Sequence, residues 1–447
     1  MTITCNKKGV WNIDDVYKKS LSDYWITYCT SNDISAAGSL WAWGSSCCND
    51  QLGFNSGAHR SSPVQIPGTT WSVISSRGGV TLAIKCDNTL WGWGDNLGTA
   101  GSIGDGTNIN RNSPVQIPGN NWIQISVGSQ HSHGRKTDGT LWSWGYGGSG
   151  RLGDNTTIGK FSPVQVPGTW IEASSGGIFG IAKKSNGTLW SWGYNNAGQL
   201  GDGTQIHRSS PVQIPGNQWA SVTGGGHHIL ARKTDNTLWA WGCNQNLGTL
   251  GIYGTGLTNT NYSSPVQVPG NQWSCIKAGG YASAGIKSDG TLWVWGVGND
   301  GRLGNNSTIW RSSPTQVPGT QWVDICFGPL NHTLALKCDG TLWSWGKNSR
   351  GELGVDSVIY RSSPVQIPGI WAGGFAAGNA GGFSFGRKAY TAAPIYDIVG
   401  THLWSWGGNN YGQLGDNTII NRCSPVQVIG TWCKVSNGNH SLALKCD

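Results

Sequence analysis

Apolar and polar positions alternate along most of this chain, in short runs cut by glycine, proline and Asn or Asp. The clearest run is Leu-Trp-x-Trp-Gly. It occurs eight times, with its leucine at Leu40, Leu90, Leu141, Leu189, Leu238, Leu292, Leu342 and Leu403. Period-two alternation places Trp190 and Trp192 on one strand face, and Leu189 and Ser191 on the other. The middle residue is modest in size, as at Ala42, Gly92 and Val294, so a bulky aromatic face can interlock with a shallower one. Each copy is followed by a Ser-Pro-x-Gln segment, at Pro63, Pro114, Pro163, Pro211, Pro265, Pro314, Pro364 and Pro425. A lone tryptophan comes next, at Trp71, Trp122, Trp170, Trp219, Trp273, Trp322, Trp371 and Trp432. Spacings of 48 to 61 residues between copies mark a propeller, a solenoid or an array.

The copy around Leu189 reads as four short strands. Residues 178–184 form one, Asn186-Gly187 supplies a tight hairpin turn, and residues 188–192 return. A polar loop over 193–210 leads to Val212-Gln213-Ile214, set between Pro211 and Pro215. Proline cannot donate a ladder hydrogen bond, so this strand is expected at a sheet edge. Trp219 then opens the fourth strand. The first repeat lacks the strand that precedes Leu-Trp-x-Trp-Gly elsewhere, and residues 439–447 supply it. The C-terminal strand is therefore expected to pair with residues 38–44 and close the ring. The reading is an all-β protein: a β-propeller of eight four-stranded blades over residues 38–447, with seven as the alternative. Residues 1–37 form a separate N-terminal anchor or plug segment.

Composition narrows the classes. The chain has 447 residues, with 71 Gly, 27 Trp and only 22 acidic residues against 30 basic ones. That content argues against helix bundles and most α/β enzymes, and the aromatics argue against disorder. The repeat absorbs 24 of the 27 tryptophans, which turns most of the excess into packing. No apolar run is long enough to span a bilayer, and the opening residues lack a signal-peptide stretch.

The loops after the second tryptophan carry a finer pattern. Trp192-Gly193-x-Asn195-x-x-Gly198-Gln199-Leu200-Gly201 and Trp406-Gly407-x-Asn409-x-x-Gly412-Gln413-Leu414-Gly415 resemble the repeats of the regulator of chromosome condensation family. The resemblance covers about residues 38–447. It implies a β-propeller, most familiar with seven blades. The family's best-known activity is nucleotide exchange on a Ran-type small GTPase, beside nucleosome binding, and other members are binding scaffolds. The chain shows neither a basic tail nor a wedge insertion for exchange.

Candidate chemistry is sparse. His131, His228, His332 and His440 share one repeat position, but Val80, Ile178, Ala282 and Phe383 fill it elsewhere, which favours packing over metal binding or catalysis. Cys86, Cys338 and Cys446 occupy a slot that holds Ser or Thr in other units, so the cysteines read as free thiols, with Cys5, Cys29, Cys47 and Cys48 set apart as exceptions. The net charge of +8 comes largely from the repeat. One lysine ends a hairpin strand in each unit (Lys85, Lys136, Lys183, Lys233, Lys287, Lys337, Lys388, Lys445). A second basic residue precedes Ser-Pro in seven: Arg60, Arg111, Lys160, Arg208, Arg311, Arg361 and Arg422. Charge so distributed does not point to nucleic acid. No nucleophile–base pair stands out, so no catalytic residue, metal or cofactor is expected.

Function is then sought where the repeat breaks. Trp11, Val16, Tyr17 and Trp25 are the candidate anchor residues of the leader, which resembles short openings of structural proteins of tailed phages. Enlarged loops at 95–106, 243–262 and 389–402, with the loop at Trp310, offer Tyr253, Tyr262, Trp310, Tyr390 and Tyr396 as contacts. The leading expectation is a non-enzymatic structural or attachment module of a virion, held to other proteins through residues 1–37. Its loops would face a host-surface ligand or glycan. The alternatives are an intracellular interaction scaffold or small-GTPase regulator, and a carbohydrate-binding propeller. Localisation follows: virion if phage-encoded, otherwise cytoplasmic.

Overall fold

The computed structural model describes residues 40–44, 52–55, 60–68, 70–77, 79–96, 101–244, 248–252, 260–328, 331–371, 376–377, 383–388, 401–437 and 440–445. Regular structure among them is antiparallel strands plus two short 3-10 turns, at Gly148–Gly150 and Asn299–Gly301.

Each regular sheet follows one order. In the first, Trp71–Arg77 pairs with Val80–Lys85, which pairs with Leu90–Gly94, which pairs with Arg111–Gln116. Six such four-stranded sheets occur among the described residues. The Trp-led strand opens a sheet; it does not close the preceding one. Trp219–Gly224 pairs with His228–Lys233, not with Arg208–Gln213. The physical reason lies in the Ser-Pro-x-Gln strand. It ends its sheet with a proline inside it and a bulge against its neighbour, and the Pro-Gly pair beyond it turns the chain away.

The expected set of eight separate four-stranded blades is corrected by the hydrogen bonding. Among the described residues the sheets number seven, and one has seven strands: Arg60–Gln65, Leu40–Gly44, His440–Lys445, Arg422–Asn437, Thr401–Gly407, Phe383–Lys388 and Ala376–Ala377, in that order. Arg422–Asn437 serves two strand sets. It pairs with Thr401–Gly407 mainly through residues 422–428 and with His440–Lys445 through residues 432–437. The local cause is Ile429-Gly430, where the other seven units have Pro-Gly, so the break supplied by proline is missing. Leu40–Gly44 pairs with His440–Lys445 from Leu40↔Leu444 to Gly44↔His440. No sheet closes on itself; the arrangement is propeller-like because successive sheets stack face to face.

That stacking is where the core sits. Leu82, Ile84 and Leu90 of one sheet bury against Trp122, Ile125 and Trp144 of the next. The same contact recurs as Leu189, Leu200 and Ile214 against Trp219 and Trp241. Leu403, Leu414 and Val428 meet Trp432, with Trp41 packed on them, so the last repeat joins the first. The second tryptophan of each motif is fully buried at Trp93, Trp144, Trp192, Trp241, Trp295, Trp345 and Trp406. Burying one indole removes roughly 150–250 Å² from water, worth up to about 4–6 kcal/mol.

A polar latch reinforces each junction. The Trp241 indole N–H donates to the Gln199 carbonyl of the preceding sheet's loop, at 3.1 Å. Trp144, Trp192, Trp295, Trp345 and Trp406 do the same to Ser102, Arg151, Thr249, Arg302 and Glu352. Gly201, two residues on, has φ +71°, and a Cβ there would lie 2.6 Å from the Trp241 ring nitrogen. The same close contact with the next sheet's tryptophan holds at Gly53, Gly104, Gly153, Gly251, Gly304 and Gly354, which is the packing reason for the glycine that ends this loop motif.

Candidate functional site

The loop that follows Trp192 is a rigid polar device with an apolar tip. Asn195 is fully buried. Its Nδ2 donates to Asp202 Oδ1 (3.2 Å) and to the carbonyls of Thr204 (3.0 Å) and Ile206 (3.1 Å). Its Oδ1 accepts the Leu200 N–H at 2.9 Å. Asp202 accepts the Thr204 N–H and hydroxyl, and pairs with Arg208 Nε at 2.7 Å. Burial opposes the charged form of Asp202, but the hydrogen bonds from Arg208 and Thr204 outweigh it and hold the carboxyl below its ordinary pKa. Asp105–Arg111 and Asp416–Arg422 repeat the pair at 2.6 and 2.7 Å.

One consequence is outward. With its carbonyl tied inward, Ile206 turns its side chain to solvent. Ile109, Ile158, Ile309, Ile359 and Ile420 occupy the same position, and all six are between 56% and 67% exposed. An apolar side chain repeated in solvent on hydrogen-bonded loops is a surface suited to contact.

Four units depart from the pattern at the aspartate: Phe54, Ile252, Asn305 and Val355 stand in its place, the last three in consecutive units. Tyr262 stands where the others have Arg or Lys; it pairs with Gly242 as Arg208 pairs with Gly193. In the next two units Asn305 and Val355 replace the aspartate. Arg311 and Arg361 thereby lose the carboxylate that their counterparts grip. Arg311 Nε and both polar side-chain atoms of Asn305 are buried without a hydrogen-bond partner. Arg361 is exposed. Each of these arginines follows an aromatic residue: Trp310, whose indole donates to Asn299 Oδ1 at 2.7 Å, and Tyr360, which is exposed. The two units touch: the Asn306 N–H donates to the Ser362 carbonyl at 2.8 Å.

Of the sequence-derived contacts, Tyr262 and Trp310 fall on this arc. Tyr262 is half-buried and packs on the cluster of Leu250 and Trp295. Trp11, Val16, Tyr17, Trp25, Tyr253, Tyr390 and Tyr396 lie outside the described residues. Sequence reasoning missed Tyr360 and Arg361; aligning the position of Asp202 across units, where Asn305 and Val355 appear, is the signal that finds them.

Other titratable groups are structural. Lys85 lies over the rings of Trp71 (4.9 Å) and Trp91 (4.2 Å). Lys136, Lys233, Lys287 and Lys337 repeat this clamp. In the remaining described unit the clamp is Lys184, not Lys183, which instead pairs with Glu172 at 2.7 Å. Buried histidines sit at sheet junctions. The Ser283 hydroxyl donates to the Thr249 carbonyl, so its oxygen accepts from His228 Nε2–H at 2.8 Å. Ser175 likewise donates to the Ser126 carbonyl and accepts from His133 Nδ1–H. Burial pushes His133 down to about 3, and His228 and His332 to about 4. Cys86, Cys243, Cys275, Cys326 and Cys423 form no disulfide, whereas Cys338 is disulfide-bonded, which corrects its reading as a thiol in a Ser or Thr slot. Among the described residues no group of three or more His, Cys, Asp or Glu is placed to hold a metal, and no helix is long and apolar enough to cross a membrane.

The regulator of chromosome condensation (RCC1) repeat matches residues 87–133, 138–182, 186–232, 289–336, 339–379 and 402–444, and a second form of it matches 122–151 and 322–352. The chain is 28% identical over 145 residues to the Arabidopsis thaliana RCC1 domain-containing protein RUG3, mitochondrial, covering 30% of this chain and 32% of that protein. The match therefore spans about a third of the curated relative. Human WBSCR16 superposes with TM-score 0.60 at 20% identity, over 92% of this chain and all of that one. Prp20p of Saccharomyces cerevisiae, described with its binding to Gsp1p and histones, gives TM-score 0.60 at 19% identity, over 77% and 90% of the two chains. At such identities the superpositions show the fold. Together the matches overturn the expected virion attachment role and the virion or cytoplasmic placement: the similarity runs to a mitochondrial RCC1-domain protein and to yeast Prp20p.

Proposed function

The chain belongs to the regulator of chromosome condensation (RCC1) repeat family, and from that premise we propose that it is a non-enzymatic protein-interaction module. The observation that carries the reading is the series of exposed isoleucines, Ile109, Ile158, Ile206, Ile309, Ile359 and Ile420, of which Ile109, Ile206 and Ile420 stand on loops stiffened by both a buried asparagine and an ion pair. A rigid apolar tip loses little conformational entropy on docking, which favours association. Prp20p, a similar fold, is described as binding Gsp1p and histones, which supports protein as the partner class. In this reading residues 1–37, with Trp11, Val16, Tyr17 and Trp25, are a second contact segment.

The test is partner recovery from the native host by the full chain and by a variant carrying Ile109→Ser, Ile206→Ser, Ile309→Ser and Ile420→Ser. These side chains face water, so the variant should melt with the parent. Loss of the specific partners at unchanged melting temperature is the expected result. An identical partner set from both chains would sink the proposal. Nucleotide exchange on the recovered partners, where one is a small GTPase, separates a regulator from a scaffold.

A further inference from the structure

We propose that the arc formed by Trp310–Arg311 and Tyr360–Arg361 binds an acidic peptide segment of the partner protein, one that brings two carboxylates. The proposal rests on the interaction reading above and specifies the chemistry of one part of the surface. In three units the arginine at this position is neutralised from within: Asp105, Asp202 and Asp416 accept from Arg111, Arg208 and Arg422 at 2.6 to 2.7 Å, and Lys160 has Asp154 at 3.7 Å. In two adjacent units the arginine is kept and the carboxylate is gone, through Asn305 and Val355. Without its carboxylate the exposed Arg361 guanidinium is a strong donor fork open to an anion from outside, and the half-buried Arg311 is left without a partner at Nε.

Neighbouring carboxylates do not make up the loss. Asp300 accepts from Asn331 Nδ2, Asp356 from the Ser424 hydroxyl, and Glu352 from the Arg350 N–H. The arc is also apolar between its charges. Ile309, Val358, Ile359 and Tyr360 are exposed, and Trp310 is half-exposed beside Arg311. A peptide whose acidic residues alternate with small or apolar ones can satisfy both features. The partner groups that the repeat elsewhere places opposite these arginines are carboxylates, which favours aspartate or glutamate over a phosphodiester. The Asn306 N–H to Ser362 carbonyl bond ties the two units, so both arginines belong to one surface.

The experiment is fluorescence anisotropy with the full chain and a fluorescein-labelled decapeptide of alternating Glu and Gly. A Lys-for-Glu peptide and a labelled single-stranded oligodeoxynucleotide run beside it. The informative variant is N305D/V355D. It restores the internal carboxylates that sister units tolerate, and it leaves both arginines in place. Binding of the acidic peptide should weaken at least about tenfold in N305D/V355D and in R361A, which alters only an exposed side chain. Undiminished peptide binding by N305D/V355D would overturn the proposal. So would no binding at millimolar peptide, or tighter binding of the oligodeoxynucleotide through the same arginines. A variant carrying only Ile109→Ser, Ile206→Ser and Ile420→Ser, which leaves Ile309 on the arc, should keep peptide affinity. Loss of native partners in the isoleucine variant of the preceding subsection, with no peptide effect in N305D/V355D, removes this inference and leaves the interaction reading standing.

Discussion

Acidification should unfold this protein through histidines that its sheet junctions bury as neutral rings. His133 and His228 each donate one ring N–H to a serine oxygen, and His133 meets the Trp192 ring edge-on at 5.4 Å. Burial is the main cause of their lowered affinity for protons; His227 adds to it at His228, and Lys347 at His332. The folded values are about 3 for His133 and about 4 for His228 and His332, against 6.5 when unfolded. The unfolded chain therefore takes up protons first as pH falls. Stability is full above 6.5, declines as pH drops below it, and levels off only near the folded values. Each histidine contributes at most about 1.4 kcal/mol per pH unit, and three contribute about 4. Over the two units below 6.5 the loss is of order 5–8 kcal/mol, comparable with a typical domain's whole stability. Urea unfolding, followed by tryptophan fluorescence at steps from about pH 7.5 to about pH 4.5, reads this directly. The window lies above the range in which Asp202 and Asp416, whose carboxyls are held below 3.8, would begin to cost stability by protonation. Replacing His228 by Gln removes one titrating ring, so the slope should fall by about 1.4 kcal/mol per pH unit. Stability that stays flat between about pH 6.5 and pH 4.5 would refute the reasoning, as would ring titrations near 6.5 in the folded protein.

Two further predictions concern the packing. Gly201→Ala should cost about 2 kcal/mol or more, because its φ of +71° strains an L residue and the new methyl would meet the Trp241 indole at 2.6 Å; an unchanged urea midpoint would count against the latch. Lys85→Gln should cost only about 0.5–1 kcal/mol, the worth of an ammonium held over two indoles. A loss several times larger would mean that Lys85 does more than cap Trp71 and Trp91.

Local patterns were legible in the chain because they are written by local rules. Alternation placed Leu189 and Ser191 on a buried face and marked the returning strand at Leu189–Gly193. The turn at Asn186-Gly187 needs φ > 0, and Gly187 has φ +76°. The repeat of Trp, Pro and Gly announced a stacked β architecture before any contact was known. What followed from tertiary structure was every partnership across a loop or between sheets. Trp219 could close one sheet or open the next, and only the pairing with Lys233 decides. Lys183 and Lys184 are equal candidates in sequence, and the clamp of Trp170 and Trp190 chooses Lys184. Counting repeats could not show that Ile429, by omitting a proline, lets one strand serve two sets and fuses them into a seven-stranded sheet. The arc at Arg311 and Arg361 shows the same division. The letters Asn305 and Val355 stand in the sequence, but the missing carboxylate has meaning only once Asp202 is seen gripping Arg208. Alternation reports which face a residue occupies; which group it meets there depends on strands and loops distant in the chain, and only their packing determines it.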